Sequence, residues 1–404
     1  MHTFSILTNS GPSNECRKIY NSAQITVMNI QLKHIAIVLA TVGVFSSCRT
    51  LIYNTPDLSD HKIFPYRVIK NAPESIYYFA NSDTSHQLGK EIYTSYSSLL
   101  PNDVTLDDYV EGSKTAALIV IRNDSIIYEK YNKNYQESSI FNTFSVTKAF
   151  ITTLVGIAIG EGMIKNVDQS ITDYIPELLE KEGFSEITIR HLLDHTSGIK
   201  FSDARYNPFS DNARYYYTRN LRKLVLKAEL YVSPGVETHY SSVNVQLLAL
   251  ILERATGATL SSYLQEKIWQ RIGMQYEATW SLDNKRENSF EKGFSCLNCT
   301  AIDLAKLGRL YLNNGVSDNK QILPQSFIYD ATKRGTTDGS CLDFHYNFRL
   351  GPKQYGSYYA RGLYGQLIYI YPKENIIIVR VGEKDLKYNP QFIDHVVLEI
   401  IDQI

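Results

Sequence analysis

A serine followed three residues later by a lysine, Ser145-Val-Thr-Lys148, is the strongest candidate for chemistry in this sequence. A serine at the start of a helix places its hydroxyl near free backbone N–H groups and the positive end of the helix dipole. A lysine three residues on lies on the same helix face, and once removed from water it can accept the serine proton. We therefore predict Ser145 as a nucleophile and Lys148 as its base. The alternative is a helix-capping serine beside a lysine that reaches solvent.

The same spacing recurs elsewhere, so spacing alone does not select Ser145. The other serines are Ser59, Ser197, Ser289 and Ser317. Ser145 differs because it opens a long apolar segment, residues 146–159, which predicts a buried central helix. A lysine in such a helix is costly unless it has a purpose. The context of the motif therefore favours Ser145.

Two further segments carry groups that suit acyl transfer. Tyr240-Ser-Ser-Val-Asn244 lies between the Pro234-Gly235 turn and an apolar helix. A phenol held in such a loop can shuttle a proton. Arg361-Gly-Leu-Tyr-Gly-Gln366 precedes a predicted strand, where glycines allow close approach of a ligand and an N–H can form half of an oxyanion hole. The plainer alternatives are a half-buried aromatic residue and a strand bulge.

Hydrophobic patterns predict the elements that position these residues. A β-hairpin is indicated at each end of the domain, with segments of helical spacing between them. The predicted strands are 116–122, 125–131, 365–371 and 376–381; the predicted helices are 146–159, 243–255, 260–272, the segment after a capping box at 300–303, and 390–401. The outline is α+β: an antiparallel sheet with flanking helices plus a helical domain.

Bulk composition limits the classes of function. The chain has 404 residues and a formal net charge of −1, with 41 Lys plus Arg against 42 Asp plus Glu. A nucleic-acid binder needs a basic excess to contact phosphates, so nucleic acid is not expected as a partner. Cys296, Cys299 and Cys341 are too few for a disulfide framework.

Together these motifs resemble the serine β-lactamases and penicillin-binding proteins, above all the class C β-lactamase-like branch. The order Ser145-x-x-Lys148, Tyr240-Ser-Ser and a glycine-bearing C-terminal strand matches that family, over about residues 115–382. Supporting stretches are HLLDHTSGI at 191–199, LLALILERATG at 247–257 and TAIDLAKLG at 300–308. The resemblance implies a β-lactamase/transpeptidase-like fold, covering about 104–404 of the chain.

The resemblance also implies a serine hydrolase that cleaves an amide or ester through an acyl-enzyme, without a cofactor. Lys148 and Tyr240 would deprotonate Ser145, and the N–H groups of Ser145 and Leu363 would bind the oxyanion. Neighbouring residues would bind a small-molecule or short-peptide substrate: Gly362, Ser242 and Tyr364. The oligomeric state stays open.

Two departures from the family pattern bear on the substrate. Ser242 stands where class C enzymes carry the asparagine of Tyr-x-Asn, and Arg361-Gly362-Leu363 replaces Lys-Thr-Gly. The pattern is closer to nylon-oligomer (aminohexanoate-dimer) hydrolases and esterases, and it puts β-lactam turnover in doubt. The alternatives are a D-Ala-D-Ala carboxypeptidase or penicillin-binding protein, and a catalytically silent protein that binds cell-wall peptide.

Other reactive side chains are given structural roles. The resemblance makes the segment of His191 and His195 a structural helix-turn rather than a source of general bases. Cys296 and Cys299, with Cys341 and His345, could be drawn as a zinc set, but the pairs are far apart, so no metal is expected. A local disulfide or two free thiols is the favoured reading of Cys296 and Cys299.

The N-terminal region looks like a bacterial lipoprotein signal. Residues 28–47 have a short basic start, an apolar run at 35–45 too short to span a bilayer, and Ser46-Ser47 before Cys48. We predict cleavage before Cys48, lipidation there and a membrane-anchored protein that faces the periplasm. The alternatives are a plain secretory signal or an uncleaved anchor. Residues 1–27 are then a non-native extension, and 48–103 a tether and extended arm.

Overall fold

The structure, a computed structural model, describes the following residues: 55–82, 85–94, 104–204, 207, 209–334, 343–385 and 389–404. The predicted extension 1–27, the signal peptide 28–47 and Cys48 lie outside the described residues, so these remain predictions. In the part of the chain that the structure describes, no helix combines the length and apolar character needed to cross a membrane.

The strands are numbered along the chain. They are β1 (Tyr66–Ile69), β2 (Ala80–Asn81), β3 (Tyr93–Thr94), β4 (Val104–Thr105), β5 (Thr115–Arg122), β6 (Ser125–Tyr131), β7 (Phe141–Asn142), β8 (Ala278–Ser281), β9 (Leu297–Cys299), β10 (Val316–Ser317), β11 (Lys320–Gln321), β12 (Phe344–His345), β13 (Phe348–Leu350), β14 (Tyr358–Arg361), β15 (Leu367–Tyr371) and β16 (Ile376–Gly382). Among them, the largest sheet has the order β12-β13-β14-β15-β16-β5-β6-β2. Its pairings are antiparallel except for the parallel pair β2–β6.

Both predicted hairpins are present and meet at the centre of this sheet. Asn123 and Asp124 turn the first hairpin with φ of 50° and 60°, the left-handed conformations that a two-residue hairpin loop requires. β16 pairs with β5 from Ile376↔Arg122 to Gly382↔Thr115, so strands about 250 residues apart lie side by side. The predicted sheet made of strands from both ends of the domain is confirmed.

The helices are numbered in the same way. They are α1 (Ser85–Glu91), α2 (Leu106–Gly112), α3 (Thr147–Gly160), α4 (Ile189–Leu193), α5 (Asp211–Tyr217), α6 (Leu221–Val225), α7 (Ser242–Thr256), α8 (Leu260–Leu264), α9 (Ala301–Leu312), α10 (Gln325–Thr332) and α11 (Pro390–Gln403). The predicted central helix corresponds to α3, which is buried almost along its whole length. Of the capping box predicted at 300–303, the structure shows the N-cap half: the Thr300 side chain accepts the N–H of Asp303 at the start of α9, and the Asp303 carboxylate accepts the Thr300 hydroxyl.

The large sheet is covered by helices on both faces because side chains of its central strand alternate. Ile119 and Ile121 of β5 join the core that contains α3, whereas Leu118 and Val120 join a second core with α2 and α11. α9 packs on the first face so closely that a side chain at Gly308 would meet Ile377 of β16. The predicted α+β architecture is therefore confirmed.

Part of the segment predicted as a tether and arm is built into the fold. β1 pairs with β8 in a second sheet of order β1-β8-β9-β7, and β2 adds to the edge of the large sheet. The fold therefore includes residues from Pro56 onward rather than starting near Val104. These strands escape sequence reading because β1 has only four residues, of which Tyr66 and Val68 are exposed, and β2 has two.

The predicted helix 260–272 also differs in the structure. Its α-helical part, α8, ends at Leu264, and a wider π-helical turn follows over Gln265–Trp269. Trp269 is fully buried there, and its indole N–H donates to the carbonyl of Tyr276 at 2.8 Å. Periodicity alone cannot distinguish this wider turn from a continued α-helix.

Candidate active site

Ser145 lies in a tight turn, Phe144–Val146, that leads directly into the buried helix α3. The turn begins from an unusual backbone conformation, since Phe144 has a φ of 44°, which bulky residues rarely adopt. The side-chain oxygen of Asn142 accepts the N–H of Phe144 at 3.0 Å and holds this bend. Ser145 is thereby presented at the helix start with its hydroxyl toward a cleft.

Lys148 occupies the position that the sequence predicted, one turn into α3. Its Nζ lies 3.1 Å from Ser145 Oγ and donates to the carbonyl oxygen of Phe294 at 2.6 Å. The side chain is 2% exposed and, within the described ranges, has no carboxylate partner. A buried amine that touches a serine hydroxyl and only neutral acceptors is suited to exchange a proton with that serine.

Tyr240 faces the same two residues from the loop that precedes α7. Its ring lies beneath Lys148, with Nζ 5.2 Å from the ring centroid. The ring stacks on His195, with centroids 4.7 Å apart, and meets the edge of Phe344 at 6.1 Å. The structure thus brings Tyr240 to Ser145 and Lys148 although it lies 95 residues after Ser145 in the chain.

His195 is a neutral support for Tyr240. Its Nδ1 accepts the N–H of Ser241 at 2.9 Å, so Nε2 carries the proton and donates to Asn347 Oδ1 at 2.8 Å. Burial lowers the pKa of His195 to about 3, because the charged imidazolium would lose its hydration. His195 therefore stays neutral across physiological pH. The sequence analysis predicted a structural role for His195 but did not predict its contact with Tyr240.

His191 lies apart from this cluster and caps a helix. Its Nδ1 accepts the N–H of Thr188, and the Thr188 hydroxyl accepts the N–H of His191, so the two form a reciprocal cap on α4. Burial lowers the pKa of His191. This arrangement stabilises the helix start.

The end of β14 forms the opposite wall of the cleft. Gly362 and Leu363 line the cleft beside Ser145. A Cβ at Gly362 would lie 3.1 Å from the Ser145 nitrogen and 2.8 Å from the Thr143 carbonyl oxygen, so a side chain there would crowd the turn that carries Ser145. The Gly362 backbone therefore lies directly against the backbone of Thr143 and Ser145.

Tyr364, predicted as a substrate-binding residue, does not face the cleft. Its side chain is 1% exposed, its ring packs on the edge of Phe144 at 5.6 Å, and its hydroxyl donates to the Pro56 carbonyl at 2.9 Å. Its φ of 61° rotates the side chain away from the strand direction. Adjacency to Leu363 in sequence therefore did not translate into adjacency in the site.

Ser242 and Asn244 occupy different environments. Ser242 lines the cleft, and its hydroxyl is 3.4 Å from Asn212 Oδ1. Asn244 is fully buried behind Tyr240, where its side chain accepts from Ser197 at 2.7 Å and lies 3.3 Å from His195 Nδ1. Asn244 thus supports the His195 network and does not replace the asparagine missing at Ser242.

Two arginines line the cleft and differ in their partners. Arg361 is held by Asp394, with Nη1 2.8 Å from both carboxylate oxygens. The Arg349 guanidinium lies 5.8 Å from the Phe344 ring centroid and, as far as the structure describes the chain, has no carboxylate partner. Sequence reading singled out Arg361 and missed Arg349, because no motif marks the short strand β13.

Sequence reading also missed other cleft residues. They include Pro56, Asn212, Tyr216, Phe294, Phe344 and Asn347. The run Tyr215-Tyr216-Tyr217 was the available signal for one of them, since tyrosine suits binding clefts. The others come from loops, a short strand and the start of α5, which reach the cleft only in the folded chain.

In the described part of the chain, the cysteines do not cluster with other potential metal ligands. Cys296 and Cys299 are buried free thiols, and no group of three or more potential ligands is found among the described residues. His345 donates through Nδ1 to the Asp330 carbonyl at 2.6 Å, and Cys341 lies outside the described residues.

Comparison with protein families decides the classification. The family model described as Beta-lactamase matches residues 103–390. The chain belongs to the beta-lactamase family. This beta-lactamase family member is therefore a serine hydrolase, and the predicted class of enzyme is confirmed.

Individual relatives of this beta-lactamase family member include both amide and ester hydrolases by name. The 6-aminohexanoate-dimer hydrolase of Paenarthrobacter ureafaciens is 25% identical over 297 residues, which are 69% of this chain and 74% of the relative. Esterase EstB of Burkholderia gladioli is 28% identical over 40% of this chain and 45% of its own length.

Solved structures establish the fold. A Bacillus anthracis protein provisionally named a 6-aminohexanoate-dimer hydrolase matches with a TM-score of 0.74 at 24% identity, over 85% of this chain and 92% of that chain. A penicillin-binding protein homologue from Pyrococcus abyssi matches with a TM-score of 0.57 at 19% identity, over 73% and 75%. The predicted β-lactamase/transpeptidase-like fold is confirmed.

Proposed function

We propose that this enzyme cleaves an ester or amide through an acyl-enzyme on Ser145, with Lys148 as base and Tyr240 as proton-transfer partner. The observation that carries the proposal is the 3.1 Å approach of Lys148 Nζ to Ser145 Oγ in a site where Lys148 otherwise contacts a neutral carbonyl. An ion-paired lysine would be less available to the serine. This one is positioned to take its proton.

The proposed reaction begins when Ser145 Oγ attacks the carbonyl carbon and its proton passes to Lys148. The carbonyl oxygen becomes an oxyanion that accepts hydrogen bonds from the N–H groups of Ser145 and Leu363. The tetrahedral intermediate collapses, and the leaving alcohol or amine takes a proton relayed through Tyr240. Water then attacks the acyl-enzyme by the reverse route, which releases the acid and restores Ser145.

The substrate proposed is a small ester or linear amide. The support is that relatives are named as a 6-aminohexanoate-dimer hydrolase and as an esterase. The departures at Ser242 and Arg361 agree with this choice, since the latter is neutralised by Asp394 where a β-lactamase would offer a free lysine.

The nucleophile is tested by intact-protein mass spectrometry after reaction with a fluorophosphonate. We expect one adduct that maps to Ser145, and no adduct and no ester hydrolysis in Ser145→Ala. Ser317→Ala is the matched control, because Ser317 has the same spacing to a lysine, Lys320, but lies in the β10–β11 hairpin. It should label and turn over like the parent.

Three results would contradict the proposal. They are an adduct on another residue, full activity in Ser145→Ala, or equal loss in Ser317→Ala. Failure of the parent to label or to hydrolyse any ester, amide or D-Ala-D-Ala peptide would instead favour the silent cell-wall-peptide binder.

We also propose that the enzyme is a lipoprotein anchored through Cys48 and facing the periplasm. The support is the apolar run at 35–45 followed by Ser46-Ser47-Cys48. Cys48→Ala should release the protein from the membrane fraction or leave an unprocessed, heavier band on a gel. Cys299→Ala, a buried thiol within the fold, is the control. Unchanged fractionation and unchanged mass of Cys48→Ala would refute the anchor.

A further inference from the structure

A chain of hydrogen bonds runs from the N-terminal arm to the turn that carries Ser145. Its first member is Asp60, in the short helical turn Leu58–Lys62, whose carboxylate accepts the hydroxyl of Tyr216 at 2.9 Å. The same hydroxyl accepts the side-chain N–H of Asn142 at 3.0 Å. Asn142 in turn accepts the N–H of Phe144 at 3.0 Å. Each link joins segments that are distant in sequence, apart from the last.

The last link holds a strained residue. Phe144 has a φ of 44°, and a bulky residue in the left-handed region persists only when its surroundings impose it. The amide of Asn142 imposes it through one hydrogen bond, and Tyr216 and Asp60 fix the orientation of that amide. The Phe144 ring is also held, by the edge-on contact with Tyr364. The backbone of Ser145 follows directly from this residue.

The first link, between Tyr216 and Asp60, is buried, and its donor and acceptor are fixed. Asp60 is 6% exposed, and burial raises the pKa of its carboxyl to about 6. Burial also raises the pKa of Tyr216 well above its ordinary value, so its hydroxyl keeps its proton and remains a donor to Asp60. Burying a carboxyl group costs free energy unless hydrogen bonds compensate for its lost hydration. At Asp60, the bond from Tyr216 is one such compensation.

The arm that carries Asp60 is also a wall of the cleft. Pro56 and Tyr216 both line it beside Ser145. The Pro56 carbonyl accepts the hydroxyl of Tyr364, and Phe64 packs on the edge of Tyr216 with centroids 5.3 Å apart. The arm is thus fixed at three points around the nucleophile turn.

We propose that Asp60 is a positioning residue, which acts through Tyr216 and Asn142 to hold the Phe144–Ser145 backbone in its reactive conformation. This inference rests on the proposed role of Ser145 as nucleophile and goes beyond it. It assigns to the N-terminal arm a part in the chemistry rather than in packing alone. A positioning residue of this kind changes the rate of acylation and leaves substrate affinity nearly intact.

The test compares Asp60→Ala, Asp60→Asn and Tyr216→Phe with the parent in ester hydrolysis. Asp60→Ala and Tyr216→Phe should each lower kcat by a factor of about 3–10, the range of one net hydrogen bond, with KM within about twofold. Asp60→Asn should recover most of kcat, because its amide oxygen can still accept the Tyr216 hydroxyl. The double change Asp60→Ala/Tyr216→Phe should cost no more than the worse single change.

Asp57→Ala is the matched control. The Asp57 side chain caps the same turn by accepting the N–H and hydroxyl of Ser59, whereas its backbone N–H donates to Asp60 Oδ2 at 3.0 Å. Asp57→Ala removes the side-chain bonds and keeps that backbone N–H. It should lower the melting temperature but leave kcat unchanged. Tyr216→Phe keeps the ring and its packing, so it remains informative if Asp60→Ala folds poorly.

The outcomes separate this inference from the proposed function. Parental kcat in Asp60→Ala and Tyr216→Phe, or an equal loss of kcat in Asp57→Ala, would refute the role of Asp60 while Ser145 still labels. A loss confined to KM would refute it as well. Activity that survives Ser145→Ala would refute the proposed nucleophile instead.

Discussion

The two sides of the cleft are held by different kinds of interaction. On the tyrosine side, Tyr240 rests on His195, which is buried, neutral and hydrogen-bonded at both ring nitrogens. On the strand side the groups are charged: Arg361 is paired with Asp394, and Arg349 lies over Phe344. Neutral buried bonds keep their geometry when pH or salt changes, whereas charged groups near solvent respond to both.

This difference indicates that the two sides of the cleft have different functions. Tyr240, the proposed proton-transfer partner, is held by a network that changes little with pH or salt, so its alignment is a property of the fold. The strand side can change its charges without disturbing that alignment. We therefore expect catalytic rate to depend on the tyrosine side, and substrate preference to depend on the strand side.

The largest effect should come from Lys148 and Tyr240, the proposed proton-transfer pair. Lys148→Ala should lower kcat by a factor of about 10²–10⁴, the usual contribution of general base catalysis. Tyr240→Phe retains the stack on His195 and should slow both acylation and deacylation. Because the groups act as one unit, the double variant should cost little more than the worse single change. Stopped-flow acylation by an activated ester measures this, and additive losses would show that the residues act independently.

A smaller effect is expected from the support beneath Tyr240. His195→Ala removes a stacked ring and the acceptor of the Ser241 N–H, so kcat should fall by a factor of about 10–100. In the parent, His195 is neutral above its pKa of about 3. The dependence of kcat on pH should therefore show no change caused by His195 between pH 5 and 8. His191→Ala, which only uncaps α4, should keep the parental kcat. A parental rate in His195→Ala would remove the distinction between the two sides.

The smallest effect on rate should come from the strand side. Arg361→Ala should change kcat for a short-chain neutral ester by no more than about twofold, since Arg361 is already occupied by Asp394. For the same reason nitrocefin should be turned over slowly or not at all by the parent. A parental kcat/KM for nitrocefin within about 10⁴–10⁸ M⁻¹s⁻¹, the range of efficient enzymes, would show that the missing lysine is not needed.

Much of this architecture was accessible from sequence because its signals are local. Asn123-Asp124 marks the first hairpin, an unbroken apolar run marks α3, and Thr300 marks the start of α9. The juxtaposition of Ser145, Lys148 and Tyr240 came from family resemblance, since spacing could not select one S-x-x-K motif among five.

The features that sequence reading missed depend on tertiary contacts. Tyr364 was expected in the cleft, but a left-handed backbone turns its side chain toward Pro56. His195 meets Tyr240, and Asp60 meets Tyr216, across separations of 45 and 156 residues, respectively. Chain patterns carry periodicity and turn chemistry, and neither specifies which loops converge on one point.

The pairing of β5 with β16 determines when the large sheet can be completed during synthesis of the chain. β5 and β6 leave the ribosome early, yet the strand that must lie beside β5 is made some 250 residues later. Until then the apolar edge of the first hairpin has no neighbour and is open to association with other chains. A ribosome that has reached Leu312 has already made Ser145, Lys148 and Tyr240, but not the strands that complete their cleft. The complete cleft, whose lining includes Pro390, can therefore form only after that residue has been made.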